Sequence, residues 1–198
     1  MKFNELKAWL LRRIEREWPR LWTYHSPGHV RDVYTAAKWY ARQEGISEME
    51  EKLVLTAALY HDSGFMIAPD NHEMRSCKLA RAELPEFEYS HDEIEHICEM
   101  IMATRIPQNP LDRLAEILCD ADLDYLGRED YFAISATLFE EFKMQGIVES
   151  EAEWLALQVR FLETHHYHTR TARLHRNETK KNVLEILRRQ LNTRPLDP

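Results

Sequence analysis

Apolar residues recur at intervals of three and four along most of this chain, and this spacing predicts amphipathic helices. The first helix is predicted to stop before Pro19, because proline disfavours helical backbone in the residue before it. Later helices are predicted over 27–42, 92–104, 111–126, 130–144, 151–168 and 178–191. Glycine is scarce, with five residues in 198, and good helix formers dominate. The sequence therefore predicts an all-α protein.

One segment, LVLTAALYHDSGF at 53–65, has no polar stripe, and this pattern predicts a helix that is buried on nearly all sides. It ends in His61 and Asp62, and a helix C-terminus disfavours a carboxylate by roughly 0.3–1 kcal/mol. Gly64 is predicted to end the helix in a left-handed turn. A bound metal ion would compensate the carboxylate, whereas a helix end at the surface would leave both groups hydrated. This segment alone leaves both interpretations open.

Two histidines surround the predicted start of the second helix. Ser26 is placed to be its N-cap and Pro27 to be its first residue, so His29 falls in the first turn and His25 just outside. The two histidines therefore need not share a face, and only one of them need be a metal ligand. The alternative for both is a polar side chain with local hydrogen bonds.

A further histidine and glutamate follow the buried segment. Asp70 or Asn71 is placed to cap the next helix, which puts His72 and Glu73 in its first turn. These two side chains either face the same cavity as the suspected metal pair or form a solvated helix start, where Glu73 suits the helix dipole. The sequence favours neither.

Three aspartates in CDADLD stand among leucines. Asp120, Asp122 and Asp124 follow at steps of two, which on a helix throws neighbouring members to nearly opposite sides, so at most two can face a common site. Ionised carboxylates are seldom buried unless they are paired or bound to metal. This segment is therefore a second candidate source of metal ligands.

Two Glu-x-x-His pairs, Glu93 with His96 and Glu163 with His166, raise the alternative of a di-iron carboxylate bundle. Helical geometry argues against it, because Glu93 and His96 point away from the apolar face of their helix. Glu163 likewise points away from the apolar face of its own helix. In a di-iron bundle these groups must project into the core. His165 is the inward histidine of its helix and is expected to be a core residue.

Composition narrows the classes of function. A net charge of −8 argues against a protein that binds the phosphate backbone of nucleic acids, but it is compatible with small phosphate esters. Cys77, Cys98 and Cys119 are widely spaced, which indicates neither a disulfide framework nor a thiolate zinc site. No signal peptide or membrane span is evident, so we expect a soluble cytoplasmic protein. The apolar first helix suits either a core or a homodimer interface.

In chain order, the candidates form the set H…HD…D on separate predicted helices. The segments YHSPGHVRDV, AALYHDSGF and CDADLDYLG resemble those of the HD-domain superfamily of metal-dependent phosphohydrolases, and the resemblance covers 24–126. It implies an all-α helical bundle. We expect a single HD-type domain over 1–198, with this motif core and with C-terminal helices at 129–191 that pack on it. The tail after Leu191 is expected to be frayed.

The resemblance also implies a metal site and the residues that form it. His29, His61, Asp62 and Asp122 would bind a divalent ion, with Asp120 as the alternative last ligand. His72 would be an additional ligand or a phosphate contact. The paired histidines of the two-metal relatives are absent, so we expect one ion, either Mn²⁺, Fe²⁺, Co²⁺, Ni²⁺ or Mg²⁺, and we do not expect a cyclic dinucleotide as the substrate.

The expected reaction is hydrolysis of a small phosphate ester, preferably a nucleotide, by a water that the metal activates. Asp62 would orient this water, and His72, Glu73 or His25 would transfer a proton or contact phosphate. Arg105 and Arg128 are candidates for substrate contacts, although surface salt bridges are the simpler interpretation. The main alternative is a regulatory domain that binds metal or nucleotide without turnover, and the di-iron oxygenase is the second.

Overall fold

The computed structural model describes residues 1–193. Within that part, the secondary structure consists of α-helices and short 3-10 turns, which confirms the all-α prediction. None of the described helices is both long and apolar enough to cross a lipid bilayer. The α-helices are α1 (Phe3–Glu17), α2 (Pro27–Glu44), α3 (Glu48–Tyr60), α4 (His72–Glu83), α5 (His91–Ala103), α6 (Arg113–Asp122), α7 (Tyr131–Met144), α8 (Glu151–Thr164) and α9 (Arg170–Thr193).

The helices group into two compact units. The first, Met1–Leu123, contains α1 to α6, and the second begins at Asp124 and contains α7 to α9. That 1–198 forms a single domain, with its C-terminal helices packed on the motif core, stays a prediction.

Helix α3 is the centre of the first unit. Every residue from Leu53 to Tyr60 is buried, which confirms the prediction from its continuous apolar pattern. Its start is fixed by a capping box, in which the Ser47 hydroxyl accepts from the Glu50 N–H and the Glu50 carboxylate accepts from the Ser47 N–H. The other helices of this unit surround α3. The two residues that follow it, His61 and Asp62, therefore lie in the interior of the unit.

Helix α2 begins as the sequence predicts. The Ser26 hydroxyl accepts a hydrogen bond from the His29 N–H at 3.3 Å, and Pro27 is the first helical residue. His29 therefore lies in the first turn, and His25 lies outside the helix.

Gly64 does not end α3 in a left-handed turn, so that prediction is wrong. The chain continues through a 3-10 turn at Ser63–Met66, and among the described glycines only Gly45 and Gly146 have positive φ. A Cβ atom at Gly64 would lie 2.1 Å from the carbonyl oxygen of His72. Glycine is needed here because the turn after α3 packs directly against the start of α4.

Three helix ends also differ from their predicted positions. Helix α6 ends at Asp122 rather than at 126, and a 3-10 turn follows at Asp124–Gly127. Helix α8 ends at Thr164, so His165 lies in extended backbone. Helix α9 begins at Arg170 rather than at 178, because the Thr169 hydroxyl caps it by accepting from the Ala172 N–H at 3.0 Å. It continues to Thr193, and the rest of the predicted frayed tail lies outside the described residues.

The second unit has its own buried polar contacts. The Arg176 guanidinium donates to the carboxylate of Asp124 at 2.7 Å, and the Gln158 side-chain oxygen accepts from the hydroxyls of Tyr131 and Ser135. Arg128 forms ion pairs with Asp124 and Asp130. For Arg128, the salt-bridge interpretation is therefore the one that the structure bears out.

Candidate metal centre

Three of the candidate residues meet at helix ends in the first unit. His29 lies in the first turn of α2, His61 directly follows α3, and Asp122 is the last residue of α6. One possible ligand atom from each lies within 4.8 Å of the others. Nε2 of His29 lies 3.2 Å from Oδ1 of Asp122 and 3.4 Å from Nε2 of His61. This spacing suits donors that share one ion, so the group could hold a metal.

Asp62 adds a second carboxylate beside this group. Its Oδ2 atom lies 3.2 Å from Nε2 of His61 and 3.5 Å from Nε2 of His29. Oδ2 is buried and has no hydrogen-bond partner, which is costly for a carboxylate oxygen unless a cation satisfies it. The unsatisfied oxygen therefore marks the position where a positive ion would be most stabilising. Two imidazole nitrogens and two carboxylate oxygens form a mixed donor set that suits a divalent ion.

The backbone around His61 orients its ring. Nδ1 lies 2.8 Å from the carbonyl oxygen of Ala58, and if it donates there, Nε2 is left unprotonated toward the cluster, as a metal ligand requires. The Ser76 hydroxyl donates to the carbonyl oxygen of His61 at 2.7 Å and accepts from the Gly64 N–H at 2.8 Å. Helix α4 therefore holds the turn that carries His61 and Asp62.

The cluster is strongly coupled electrostatically. Burial opposes ionisation of Asp62 and Asp122, but the neighbouring histidines more than offset it, so the pKa of Asp62 falls well below its usual value and that of Asp122 falls to about 2. Burial also opposes protonation of His61, yet the two carboxylates raise its pKa well above 6.5. Without a metal ion, protons on imidazole compensate the carboxylates, and a bound cation would replace them.

His72 and Glu73 lie at the edge of this cluster. Nε2 of His72 is 3.3 Å from Oδ1 of Asp62 and 3.5 Å from Oε1 of Glu73, and its Nδ1 is 3.3 Å from the carbonyl oxygen of Pro69. Burial opposes protonation of His72, but Asp62 raises its pKa above 6.5. His72 therefore lies next to Oδ1 of Asp62, whereas His61 lies next to Oδ2.

The side chains of the cluster differ in their exposure to solvent. Side-chain exposure rises from 1% at His61 and 4% at Asp62 to 15% at Asp122 and 22% at His72. Asp122 and His72 are therefore the members of this group that are most accessible to solvent.

An aromatic wall of Trp22, His25 and Phe65 flanks His72. The Phe65 ring stacks on His25 at 4.2 Å and lies 4.5 Å from the His72 ring, and Trp22 meets Phe65 edge-on at 5.5 Å. The Trp18 indole N–H donates to the carbonyl oxygen of His25 at 2.7 Å. Sequence reasoning did not find this wall, because Trp22 lies in a loop without periodicity.

The residues of the di-iron alternative have other partners. The Glu93 carboxylate accepts from the Ser90 N–H in the capping box of α5, and His96 contacts Asp112. Glu163 is bound by Arg188.

The structure also separates the two candidate aspartates of α6. Asp120 is fully buried on this helix, whereas Asp122 belongs to the close group of possible ligands. The metal-ligand roles of His29, His61, Asp62 and Asp122, with Asp120 as the alternative, stay predictions.

Comparison with known proteins agrees with this arrangement. Residues 28–124 match the family model described as HD domain, and the chain belongs to the HD-domain superfamily. A solved structure, described as a predicted HD superfamily hydrolase from an uncultured Thermotogales bacterium, is similar with a TM-score of 0.64. It is 21% identical, and the match covers 94% of this chain and 92% of that one, so the likeness concerns the fold. No curated protein matches this chain.

Proposed function

We propose that this protein is a metal-dependent phosphohydrolase that acts on a small phosphate ester. The observation that carries the proposal is the buried Oδ2 atom of Asp62, which has no hydrogen-bond partner and lies within 3.5 Å of Nε2 of both His29 and His61. Membership in the HD-domain superfamily supports the same assignment.

Four residues would hold the ion: His29, His61, Asp62 and Asp122. Two nitrogens and two oxygens form a donor set that suits Mn²⁺, Fe²⁺, Co²⁺, Ni²⁺ or Mg²⁺. It differs from the closed thiolate sites that bind structural zinc. When bound, such an ion supplies Lewis acidity, which lowers the pKa of a water molecule and polarises a phosphoryl oxygen. We propose one ion, because the paired histidines expected of the two-metal relatives are absent from the sequence.

Asp62 would position His72 for proton transfer or for contact with phosphate. The Oδ1 atom of Asp62 lies 3.3 Å from Nε2 of His72, so the two side chains are in contact at the accessible edge of the cluster. At this position the imidazole would contact phosphate or give a proton to the leaving oxygen. Glu73, 3.5 Å from the same nitrogen, would hold the ring in place.

The aromatic wall favours a nucleotide as the ester. Trp22 and His25 are partly exposed. The His25 ring lies 5.9 Å from the His72 ring, and Trp22 contacts Phe65 behind it. Planar rings next to a phosphate site stabilise a nucleobase by stacking, worth about 1–3 kcal/mol per base. The net charge of −8 argues against a nucleic-acid polymer. The proposed substrate is therefore a free nucleotide.

Phosphate release from matched substrates tests this function. Protein reconstituted with each candidate ion is assayed on nucleoside mono- and triphosphates and on ribose 5-phosphate, which lacks the base. We expect metal-dependent phosphate release, preferring the substrates with a base, that is lost in Asp62→Asn and kept in His91→Ala, whose histidine is exposed. Metal binding and nucleotide binding without turnover under any ion would instead support a regulatory domain.

A further inference from the structure

Two cysteines far apart in sequence face each other in the first unit. Cys77 on α4 and Cys98 on α5 are both buried. The Sγ atom of Cys77 lies 3.5 Å from the carbonyl oxygen of Cys98, and the Sγ atom of Cys98 lies 3.7 Å from the carbonyl oxygen of Cys77. These reciprocal contacts bring each thiol to the backbone of the other residue, and a disulfide needs such a short separation.

The pair borders a cavity of about 370 Å³. A volume of this size admits small organic molecules. Its lining includes Cys77 and Cys98 together with Lys78, Arg81 and Glu99, and Arg81 is paired with Glu95 through two bonds of 2.7 Å. Both cysteines, although buried, therefore line a space that a small reagent can enter.

We propose that Cys77 and Cys98 form a reversible disulfide by exchange with a small-molecule disulfide that enters this cavity. The Cys98 thiolate attacks one sulfur of the small disulfide and releases one small thiolate, which takes up a proton. The Cys77 thiolate then attacks the Cys98 sulfur and displaces the second small thiolate. In total, two protein thiols are oxidised to one disulfide, and one small disulfide is reduced to two thiols.

The order of attack follows from the environment of each thiol. The neighbouring Cys77 thiol and Arg81 lower the pKa of Cys98 against the effect of burial, whereas the neighbouring Cys98 thiol and burial raise the pKa of Cys77. Cys98 is thus the better first nucleophile. Cys119 offers an internal control, because its thiol is buried against the carbonyl oxygen of Ala103 at 3.3 Å and burial raises its pKa.

The test uses the full-length folded protein and glutathione disulfide as the probe. The protein is equilibrated at graded ratios of reduced to oxidised glutathione, remaining thiols are alkylated, and peptides are mapped by mass spectrometry. We expect a Cys77–Cys98 linked peptide, loss of two alkylated thiols with Cys119 retained, and full reversal by dithiothreitol.

Single variants distinguish exchange from non-specific oxidation. Cys77→Ser is expected to accumulate one glutathione on Cys98, since the resolving thiol is gone, and Cys98→Ser is expected to accumulate much less. Circular dichroism checks that each variant remains helical, and Cys119→Ser in the same assay must still form the link. The proposal is overturned if the folded parent forms no Cys77–Cys98 link even in excess glutathione disulfide without reduced glutathione. A link through Cys119, or a stable glutathione adduct of the parent without a link, overturns it equally.

Discussion

The Nε2 atom of His72 lies 3.3 Å from Oδ1 of Asp62, while the other carboxylate oxygen of Asp62 lies 3.2 Å from Nε2 of His61. One side chain therefore joins the candidate metal ligands to a histidine at the accessible edge of the cluster. The two oxygens of Asp62 face different partners, so the proposed roles of metal ligand and proton-positioning group can be separated by mutation.

Replacing His72 separates chemistry from metal binding. His72→Ala is expected to lower kcat about 10²–10⁴-fold, the range for loss of a proton-transfer group, while metal content stays at the parent level because the proposed ligands remain. Asp62→Asn is expected to lose both. His91→Ala, which removes an exposed imidazole, serves as the control and should change neither quantity. Equal loss of metal in His72→Ala would show that His72 is itself a ligand.

Ser76 is expected to support the cluster from helix α4. Its hydroxyl bonds the Gly64 N–H and the carbonyl oxygen of His61, and Ser76→Ala leaves both buried groups unsatisfied. We expect the free energy of unfolding to fall by about 1–3 kcal/mol and the affinity for metal to weaken. Urea unfolding and metal titration measure these effects.

Ser63→Ala is the matched control for Ser76→Ala. Ser63 is equally buried, but its hydroxyl has no hydrogen-bond partner, so its removal is expected to leave stability unchanged or raised. If the two serine variants lose the same stability, the bonds of Ser76 do not hold the turn.

Acid stability depends on His165 in the second unit. Burial and the nearby Lys180 lower its pKa from 6.5 to about 3, so the folded state keeps this ring neutral while the unfolded state protonates it. The contribution of His165 to the free energy of unfolding is therefore fully present above pH 6.5. It falls as the pH decreases from 6.5 toward 3 and stops falling near pH 3. The slope is at most about 1.4 kcal/mol per pH unit for one proton.

His165→Asn tests this assignment, because asparagine can still accept from Lys180 but cannot be protonated. Thermal unfolding between about pH 4 and pH 7 is expected to depend less on pH in this variant than in the parent. His166→Asn, which replaces an exposed neighbour, is expected to keep the parental slope. An unchanged slope in His165→Asn would assign the acid sensitivity to other groups.

Much of the fold follows from short-range signals in the sequence. The N-cap at Ser26 was predictable because a hydroxyl followed by a helical pattern satisfies orphan N–H groups. The burial of α3 followed from its unbroken apolar run. Gly64 was misinterpreted because glycine serves both left-handed turns and close backbone contacts, and the sequence does not distinguish the two.

Contacts between distant segments were not predictable in the same way. The spacing of Cys77 and Cys98 contains no signal of their contact, because it depends on how α4 packs on α5. Likewise, helical periodicity could separate Asp120 from Asp122 only once the face of α6 that meets α2 was known. The preference for Asp122 came from the family resemblance, and its place beside His29 is consistent with it.

We propose that four residues bind one divalent ion: His29, His61, Asp62 and Asp122. The most direct measurement is metal content by mass spectrometry on protein purified without added metal or affinity histidines, before and after reconstitution. We expect about one ion per chain in the parent and in His91→Ala, and none in His61→Ala or Asp62→Ala while circular dichroism shows the same helicity. If the parent holds no metal even after reconstitution, or if a folded His61→Ala variant keeps it, these residues do not form the metal site.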